Sequence, residues 1–196
     1  GIARLHEIVP ELFAAHVIDG DCAFDDGWFD EAVGVMSGDE TIAVLCGNRR
    51  ERHPEASIYN RLADIEWGED EGDVRACGGD SLIRTSAFDA VGGFDPSLIA
   101  GEEPELCFRM RREGWRIVRI NRTMAWHDAD MTRFSQWWTR AVRSGHAAVE
   151  GAVMHGRSPE RYNVSRVRKI LTWSLFVPMI ALALGILWFP WGFGVL

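Results

Sequence analysis

The sequence ends in a long segment without any charged side chain. Residues 170–196 read ILTWSLFVPMIALALGILWFPWGFGVL, and about 20 predominantly apolar residues are enough to cross the hydrocarbon core of a bilayer. Pro178 and Pro190 would break the interior of a soluble helix, whereas helices in membranes tolerate proline. A buried core helix is the alternative, but it needs no uncharged run of this length. We therefore interpret residues 170–196 as a transmembrane segment.

A basic stretch lies directly before this segment. Residues 157–169 read RSPERYNVSRVRK, and basic residues beside a span stay on the cytoplasmic side. We interpret this stretch as a juxtamembrane linker and place residues 1–156 in the cytoplasm, at the inner (plasma) membrane. The chain begins without Met and shows no signal peptide, so we expect an excerpt of a longer protein.

Charge and cysteine content exclude some classes of function. The net charge of −8 argues against a nucleic-acid partner, because phosphate backbones need a basic surface. The four cysteines lie far apart in the sequence and form no CxxC pair, which argues against a zinc ribbon or a disulfide framework. We expect reduced thiols in the core.

Residues 1–156 alternate between strand-like and helix-like patterns. The runs FAAHVID and TIAVLCGNRR predict strands, and SIYNRLADIEW has the apolar spacing of a helix. EPELCFRMRREGW predicts a second helix with Gly114 at its end, and RIVRI and TMAWH predict two short strands. This order predicts a mixed α/β domain that binds ligands near the carboxyl ends of its strands.

Two carboxylates follow the first predicted strand. In an extended segment, residues two apart point the same way, so Asp19 and Asp21 are expected on one side of the strand end. Mg²⁺ or Mn²⁺ typically takes one or two carboxylates together with phosphate oxygens. A calcium EF-hand is excluded, because Ala23 and Phe24 occupy the loop positions that need an oxygen ligand and a glycine. The alternative is a solvated turn.

A second acidic cluster begins the later helix. Glu102, Glu103 and Glu105 crowd its first turn, where negative charge is favourable by about 0.3–1 kcal/mol per residue. The glycine-rich VGGFDPSLIAG before it could carry a catalytic carboxylate into a cleft. A metal pair with a separate carboxylate suits transfer chemistry, in which the metal neutralises a departing diphosphate and the carboxylate deprotonates the attacking hydroxyl.

The segments DGDC, CGGDSLIRTSAFDAVGGFD and GEEPELCFRMRREGWRI together resemble the core of family 2 glycosyltransferases, the inverting GT-A type, over residues 1–150. The resemblance implies a Rossmann-related mixed sheet flanked by helices. It also implies metal-dependent (Mn²⁺ or Mg²⁺) transfer, with inversion, of a sugar from a nucleotide-sugar donor. The acceptor would be a hydroxyl of a saccharide or lipid-linked molecule, in polysaccharide or glycolipid synthesis.

Site residues follow from the same resemblance. It implies that Asp19 and Asp21 bind the metal and the donor, and that Gly79 and Asp80 lie near the donor sugar, with Asp80 also near the acceptor. The second acidic residue before the helix, Glu103, would be the general base, supported by Glu102; the family usually has Asp at this second position. The family's nucleotide-binding strands precede the D-x-D pair and are expected to be missing here.

Further candidates follow the second helix. A His at the end of a strand completes the metal shell in many GT-A enzymes, which implies His127 as a ligand. RFSQWWTRAVRSG resembles the Q-x-x-R-W element of processive synthases without matching its spacing; it suggests Gln136 and Trp137 as acceptor contacts, or an interfacial helix. Arg140 and Arg143 are candidates for binding the diphosphate.

Two other functions stay open. Paired carboxylates also occur in metal-dependent nucleotidyl- or phosphotransferases, and the Glu at position 103 suggests a non-catalytic membrane scaffold with a degenerate transferase fold. The zincin-like HEIVP lacks its second His, and the sequence contains no G-x-S-x-G motif and no P-loop.

Overall fold

The computed structural model describes residues 2–67 and 70–188, and the chain divides into two compact units, Gly1–Arg140 and Ala141–Leu196. The helices of the first part are α1 (Ile2–Ile8), α2 (Trp28–Gly38), α3 (Ile58–Glu66), α4 (Thr85–Ala90) and α5 (Glu102–Arg112). Its strands are β1 (Ala14–Val17), β2 (Cys22–Phe24), β3 (Ile42–Glu51), β4 (Gly72–Asp73), β5 (Ser81–Arg84) and β6 (Arg116–His127). Then follow α6 (Phe134–His155), α7 (Val164–Leu171), a π-helical turn (Thr172–Phe176) and α8 (Val177–Trp188).

The strands of the first unit form one mixed sheet flanked by helices. Its order is β1-β5-β3-β6-β2, and β4 also pairs with β6. The central strands β3 and β6 run parallel, and the other pairs are antiparallel. The predicted α/β class is therefore confirmed, whereas the strictly alternating order of strands and helices is not, because β1 leads into β2 and β4 into β5 without a helix.

The core lies between the central strands and the helices that cover them. Val44 and Leu45 of β3 are fully buried, as is Trp28 of α2. The predicted helix α5 is confirmed, and Leu106 and Met110, which lie one turn apart on it, are both fully buried. A parallel central strand that is covered on both faces reads as a continuous apolar run, which is why TIAVLC is easy to recognise as a strand.

The two short strands predicted near residues 116–127 are one long strand, β6. Its register against β3 shifts between Cys46 and Asn48. At Gly47 an added Cβ would lie 2.4 Å from the backbone oxygen of Arg122 and 2.8 Å from Trp28, so only glycine lets the two strands pass this closely. The pairing of β3 with β6 continues on both sides of this register shift. The polar residues between the two predicted strands therefore belong to β6 and do not separate two strands.

Helix α3 is confirmed, but its apolar spacing does not mark its buried face. Ile58 and Ile65 are exposed, whereas Asn60 and Ala63 are buried. Ser57 caps the helix by accepting a hydrogen bond from the backbone N–H of Asn60. The buried side of α3 therefore consists of Asn60 and Ala63 and not of the isoleucines.

Among the residues that the structure describes, one helical stretch, Val164–Trp188, is long and apolar enough to cross a membrane by length and composition. It begins inside the stretch interpreted as a linker, and residues 189–196 of the predicted span lie outside the described residues. The π-helical turn precedes Pro178, which cannot donate a backbone hydrogen bond.

Candidate functional site

A tight turn, the Asp19–Asp21 turn, joins β1 to β2. The backbone N–H of Cys22 donates to the carbonyl of Asp19 at 3.1 Å and closes it. The two aspartates were expected to share one side of an extended strand; instead, the chain reverses between them. Their side chains are 56% and 54% exposed and have different neighbours: Asp19 faces Arg49 at 3.7 Å, and Asp21 faces His127 at 3.5 Å.

Asp80 lies beneath this turn and is fully buried. Its carboxylate accepts hydrogen bonds from the backbone N–H of Asp19 at 2.8 Å and from the thiol of Cys22 at 3.1 Å. It also forms an ion pair with Arg49 at 2.8 Å. Asp80 therefore holds the turn in place from below, and its predicted contact with donor and acceptor stays a prediction.

Arg49 connects the turn to the Gly78–Gly79 loop. Besides its two aspartate partners, its guanidinium donates to the carbonyl of Gly78 at 3.0 Å and lies over the ring of Trp67. A Cβ on Gly79, whose φ is +114°, would lie 3.2 Å from Arg49 and 3.6 Å from Asp19, so this position favours glycine in both conformation and space. Gly79 thus lies beside the aspartate turn, and its predicted position near the donor sugar stays a prediction.

Local electrostatics disfavour the ionised form of Asp19. Partial burial raises the pKa of its carboxyl, and the neighbouring Asp80 raises the pKa further, while Arg49 acts in the opposite direction. Burial, followed by the hydrogen bond to Asp80, raises the pKa of the Cys22 thiol well above its usual range. Cys22 is therefore a protonated donor.

His127, the last residue of β6, lies beside Asp21. Its Nε2 atom is 3.5 Å from Asp21 Oδ2, and its Nδ1 atom is 3.4 Å from Oε2 of the buried Glu51. Possible ligand atoms of Asp21, Cys22 and His127 all lie within 4.8 Å of one another. The carboxylate is an oxygen ligand of the kind that suits Mn²⁺ or Mg²⁺, and the imidazole and the thiol are the further possible ligand groups of this cluster.

Behind the turn, His16 is held neutral. It accepts a hydrogen bond from Trp28 Nε1 at 2.9 Å, and its Nδ1 atom lies 2.9 Å from the carbonyl of Val17. Burial lowers the pKa of His16 to about 4. This histidine supports β1 and belongs to the aromatic packing below the site.

The first turn of α5 approaches the other side of the Gly78–Gly79 loop. Glu103 is buried, and its Oε1 atom accepts from the backbone N–H of Cys77 at 2.8 Å and the thiol of Cys107 at 2.9 Å. Its Oε2 atom accepts from the backbone N–H of Gly78 at 3.0 Å. Glu103 therefore holds the loop that also contacts Arg49.

The other two glutamates of this turn differ in burial. Glu105 is buried and forms an ion pair with Arg109 at 2.7 Å, and Arg109 in turn donates to the carbonyls of Val91 and Gly93. The side chain of Glu105 thus points along the helix. Glu102 is half-buried at the start of α5, directly after Gly101, whose φ is +84°.

The candidates on α6 have separate surroundings. Gln136 accepts from the backbone N–H groups of Thr132 and Arg133 and so caps the start of the helix. Trp137 packs near the rings of Tyr59 and Phe134. Arg140 forms an ion pair with Glu66. Arg143 is exposed and belongs to the second unit.

The structure thus brings Asp19, Asp21, Gly79, Asp80 and His127 together, with Glu103 at the same loop. Sequence reasoning missed Arg49, Glu51 and Trp67. The signal for the first two was present: they lie two residues apart at the carboxyl end of β3, the parallel-strand end where α/β folds bind ligands.

Comparisons with known proteins point to one class of enzyme. No family model matches the chain. Two curated relatives are pre-mycofactocin glycosyltransferases of Mycobacterium tuberculosis, strains CDC 1551 / Oshkosh and ATCC 25618 / H37Rv. Each is 26% identical over 149 residues, which cover 70% of this chain and 31% of the relative. The chain therefore spans about a third of the length of these relatives, and this distant similarity supports a glycosyltransferase.

Proposed function

We propose that the chain is part of a family 2 glycosyltransferase of the inverting GT-A type. The enzyme transfers a sugar from a nucleotide-sugar donor to an acceptor hydroxyl, with Mn²⁺ or Mg²⁺ bound at the Asp19–Asp21 turn. The observation that carries the proposal is the 3.5 Å approach of Asp21 to His127, beside the half-exposed Asp19. The distant similarity to glycosyltransferases supports sugar transfer in general.

Asp21 and His127 would hold the metal directly, with Asp19 as a further oxygen ligand or a contact to the donor. A divalent ion bound there would neutralise the charge of the departing nucleoside diphosphate. Arg49 holds Asp19 and the Gly78–Gly79 loop in register through its contacts to Asp80 and Gly78. Arg140 stays a candidate for a diphosphate contact, at the expense of its ion pair with Glu66, and the diphosphate role suggested for Arg143 stays a prediction.

Glu103 is the proposed general base, with Glu102 as the supporting acid. Each carboxylate oxygen can accept about two hydrogen bonds. In the described part of the chain, Oε1 of Glu103 accepts two and Oε2 only one, from Gly78. Oε2 therefore keeps one acceptor position, next to the loop proposed to contact the donor sugar, and can take the proton of an attacking hydroxyl.

The acceptor is proposed to be a saccharide or a lipid-linked molecule at the inner membrane, in polysaccharide or glycolipid synthesis. The helix Val164–Trp188 supports membrane anchoring by its length and composition. The basic residues at its start support a cytoplasmic catalytic unit. Gln136 and Trp137 are proposed acceptor contacts; the capping role of Gln136 leaves the ring of Trp137 as the stronger of the two.

Membrane anchoring has its own test. Leu184→Arg in the full chain should weaken insertion, since an arginine in the middle of a span costs about 2.5–3.5 kcal/mol. Extraction of expressing membranes with alkaline carbonate measures this, and Val153→Arg, an exposed position outside the apolar helix, is the control. Equal release of wild type and the Leu184 variant would contradict the span.

The enzymatic proposal is tested by a screen of nucleotide sugars with the full-length membrane protein. The measurement is released nucleoside diphosphate, with and without a chelator. Metal-dependent release supports the proposal. Consumption of nucleoside triphosphates instead would favour a nucleotidyl- or phosphotransferase, and no turnover with any donor would favour a non-catalytic scaffold.

A further inference from the structure

Glu51 is a buried carboxylate at the end of the central strand β3. Its side chain is 0% exposed, and it pairs across the parallel strands with His127, the last residue of β6. Removing a carboxylate from water is costly unless the protein supplies hydrogen-bond donors. The identity of those donors determines what this residue does for its neighbours.

Three amide groups in the described residues donate hydrogen bonds to the Glu51 carboxylate. Oε1 accepts from the backbone N–H of His53 at 3.1 Å and the side-chain amide of Asn60 at 3.3 Å. Oε2 accepts from the backbone N–H of Ala129 at 3.1 Å and lies 3.4 Å from His127 Nδ1. A carboxylate that already accepts from three amides offers an acceptor to His127 as well, so this geometry favours the tautomer with the proton on Nδ1.

This tautomer determines what the other ring nitrogen can do. With the proton on Nδ1, Nε2 of a neutral His127 presents its lone pair, and Asp21 Oδ2 lies 3.5 Å from it. Two acceptor atoms at this distance attract each other only through a cation or a proton between them. The ring of Trp67 packs against the imidazole at a centroid distance of 4.7 Å and restricts its rotation.

We propose that Glu51 is a positioning residue for metal binding: it fixes His127 in the Nδ1–H tautomer and directs Nε2 toward Asp21. The inference rests on the proposed metal dependence of the transferase. Glu51 does not touch the ion; it acts through the ring of His127. Partners of this kind typically change metal affinity by about 10–100-fold when they are mutated.

The test is Mn²⁺ binding by the full chain in detergent, measured by electron paramagnetic resonance of the free ion. Glu51→Gln should weaken binding by about 10–100-fold, because the amide presents donors to donors and no longer orients His127. Asn60→Ala removes a partner of Glu51 Oε1 and leaves Oε2 with His127, so it should lower thermal stability with Mn²⁺ affinity within about threefold of wild type. Glu55→Gln, at an exposed carboxylate 3.8 Å from His53, is the matched control and should change neither.

A second measurement requires no metal. The ¹⁵N shifts of His127 in histidine-labelled full chain should report the Nδ1–H tautomer in wild type and its loss in Glu51→Gln. If Glu51→Gln does not fold, Glu51→Asp withdraws the carboxylate while keeping its charge, and it should weaken Mn²⁺ binding by about tenfold.

The outcomes separate the two proposals. If wild type binds no Mn²⁺, the proposed metal dependence fails, and the tautomer measurement still decides the orienting role of Glu51. If wild type binds Mn²⁺ and a folded Glu51 variant binds it equally well, or if His127 of wild type carries its proton on Nε2 alone, the role of Glu51 is overturned.

Discussion

The two acidic clusters of the first unit contain the same kind of side chain in opposite settings. At the Asp19–Asp21 turn, the carboxylates are more than half exposed, and each has one basic side chain nearby, Arg49 for Asp19 and His127 for Asp21. At the start of α5, Glu103 and Glu105 are 6% and 2% exposed, and backbone amides, a thiol or Arg109 engage them. The comparison teaches that a run of acidic residues does not identify a ligand site. An acidic side chain is available to a ligand only where the fold does not already supply hydrogen-bond donors to its carboxylate.

The largest effect is expected at the exposed cluster. Asp21→Ala should lower metal-dependent donor turnover by at least about 10³-fold, because a metal contributes several kcal/mol to charge stabilisation. The melting temperature should change little, since an exposed turn carboxylate contributes little packing. Nucleoside diphosphate release measures the first quantity and circular dichroism the second. Asp30→Ala, at an exposed acidic residue on α2, is the control. Full turnover of the Asp21 variant would contradict the claim that the exposed cluster binds the metal.

Glu103 tests whether a buried carboxylate can both hold a loop and take a proton. Glu103→Gln should lower kcat by about 10²–10⁴-fold, the usual contribution of a general base. It should also lower the free energy of unfolding by about 1–3 kcal/mol, because one backbone amide loses its acceptor. Steady-state kinetics and urea unfolding separate the two effects.

If Glu103→Gln loses stability but keeps the wild-type kcat, Glu103 holds the loop and is not the general base. Glu102→Gln is the matched neighbour, and as the supporting acid it should reduce kcat less than Glu103→Gln does. The reverse order would move the base to Glu102.

Glu105 should affect folding and leave the chemistry unchanged. Glu105→Gln removes one partner of a buried ion pair and leaves Arg109 without its counter-charge, which typically costs about 3–5 kcal/mol. Turnover per folded molecule should stay at the wild-type value. Urea unfolding together with activity normalised to the folded fraction measures this, and Glu113→Gln at the end of α5 is the control. A large kcat defect would show that this cluster is open to substrate.

The smallest effect concerns the support of the aspartate turn and depends on pH. The pKa of His16 is about 4 in the folded protein and about 6.5 when unfolded. The unfolded chain therefore binds more protons between these values, and the free energy of unfolding should fall as pH drops from 6.5 to 4, by about 1–3 kcal/mol.

His16→Gln keeps an acceptor for Trp28 but does not titrate, so its stability should depend less on pH in this window. Urea midpoints at several pH values give the difference, in which the other titrating groups cancel. Parallel curves for the two proteins would contradict a neutral His16.

Local patterns in the sequence predict much of the fold. The apolar run of β3, the buried face of α5 and the uncharged stretch before Trp188 are each recognisable from a short window. The same windows mislead where a tertiary contact overrides them. The isoleucines of α3 have helical spacing and are nevertheless exposed, because Asn60 faces inward to donate to Glu51.

The sequence by itself determined that the chain combines an α/β unit with an apolar helix, and that acidic residues follow the first strand and begin α5. Periodicity and composition are local properties, so they can be read from a short stretch of sequence without knowledge of the fold. Only the tertiary structure decided which carboxylates remain exposed and available to a ligand. Asp80 forms an ion pair with Arg49, and Glu103 accepts hydrogen bonds from the amides of Cys77 and Gly78. Asp21, in contrast, lies beside His127 and its side chain is still half exposed. These donors come from segments far away along the chain, and no sequence window contains both partners.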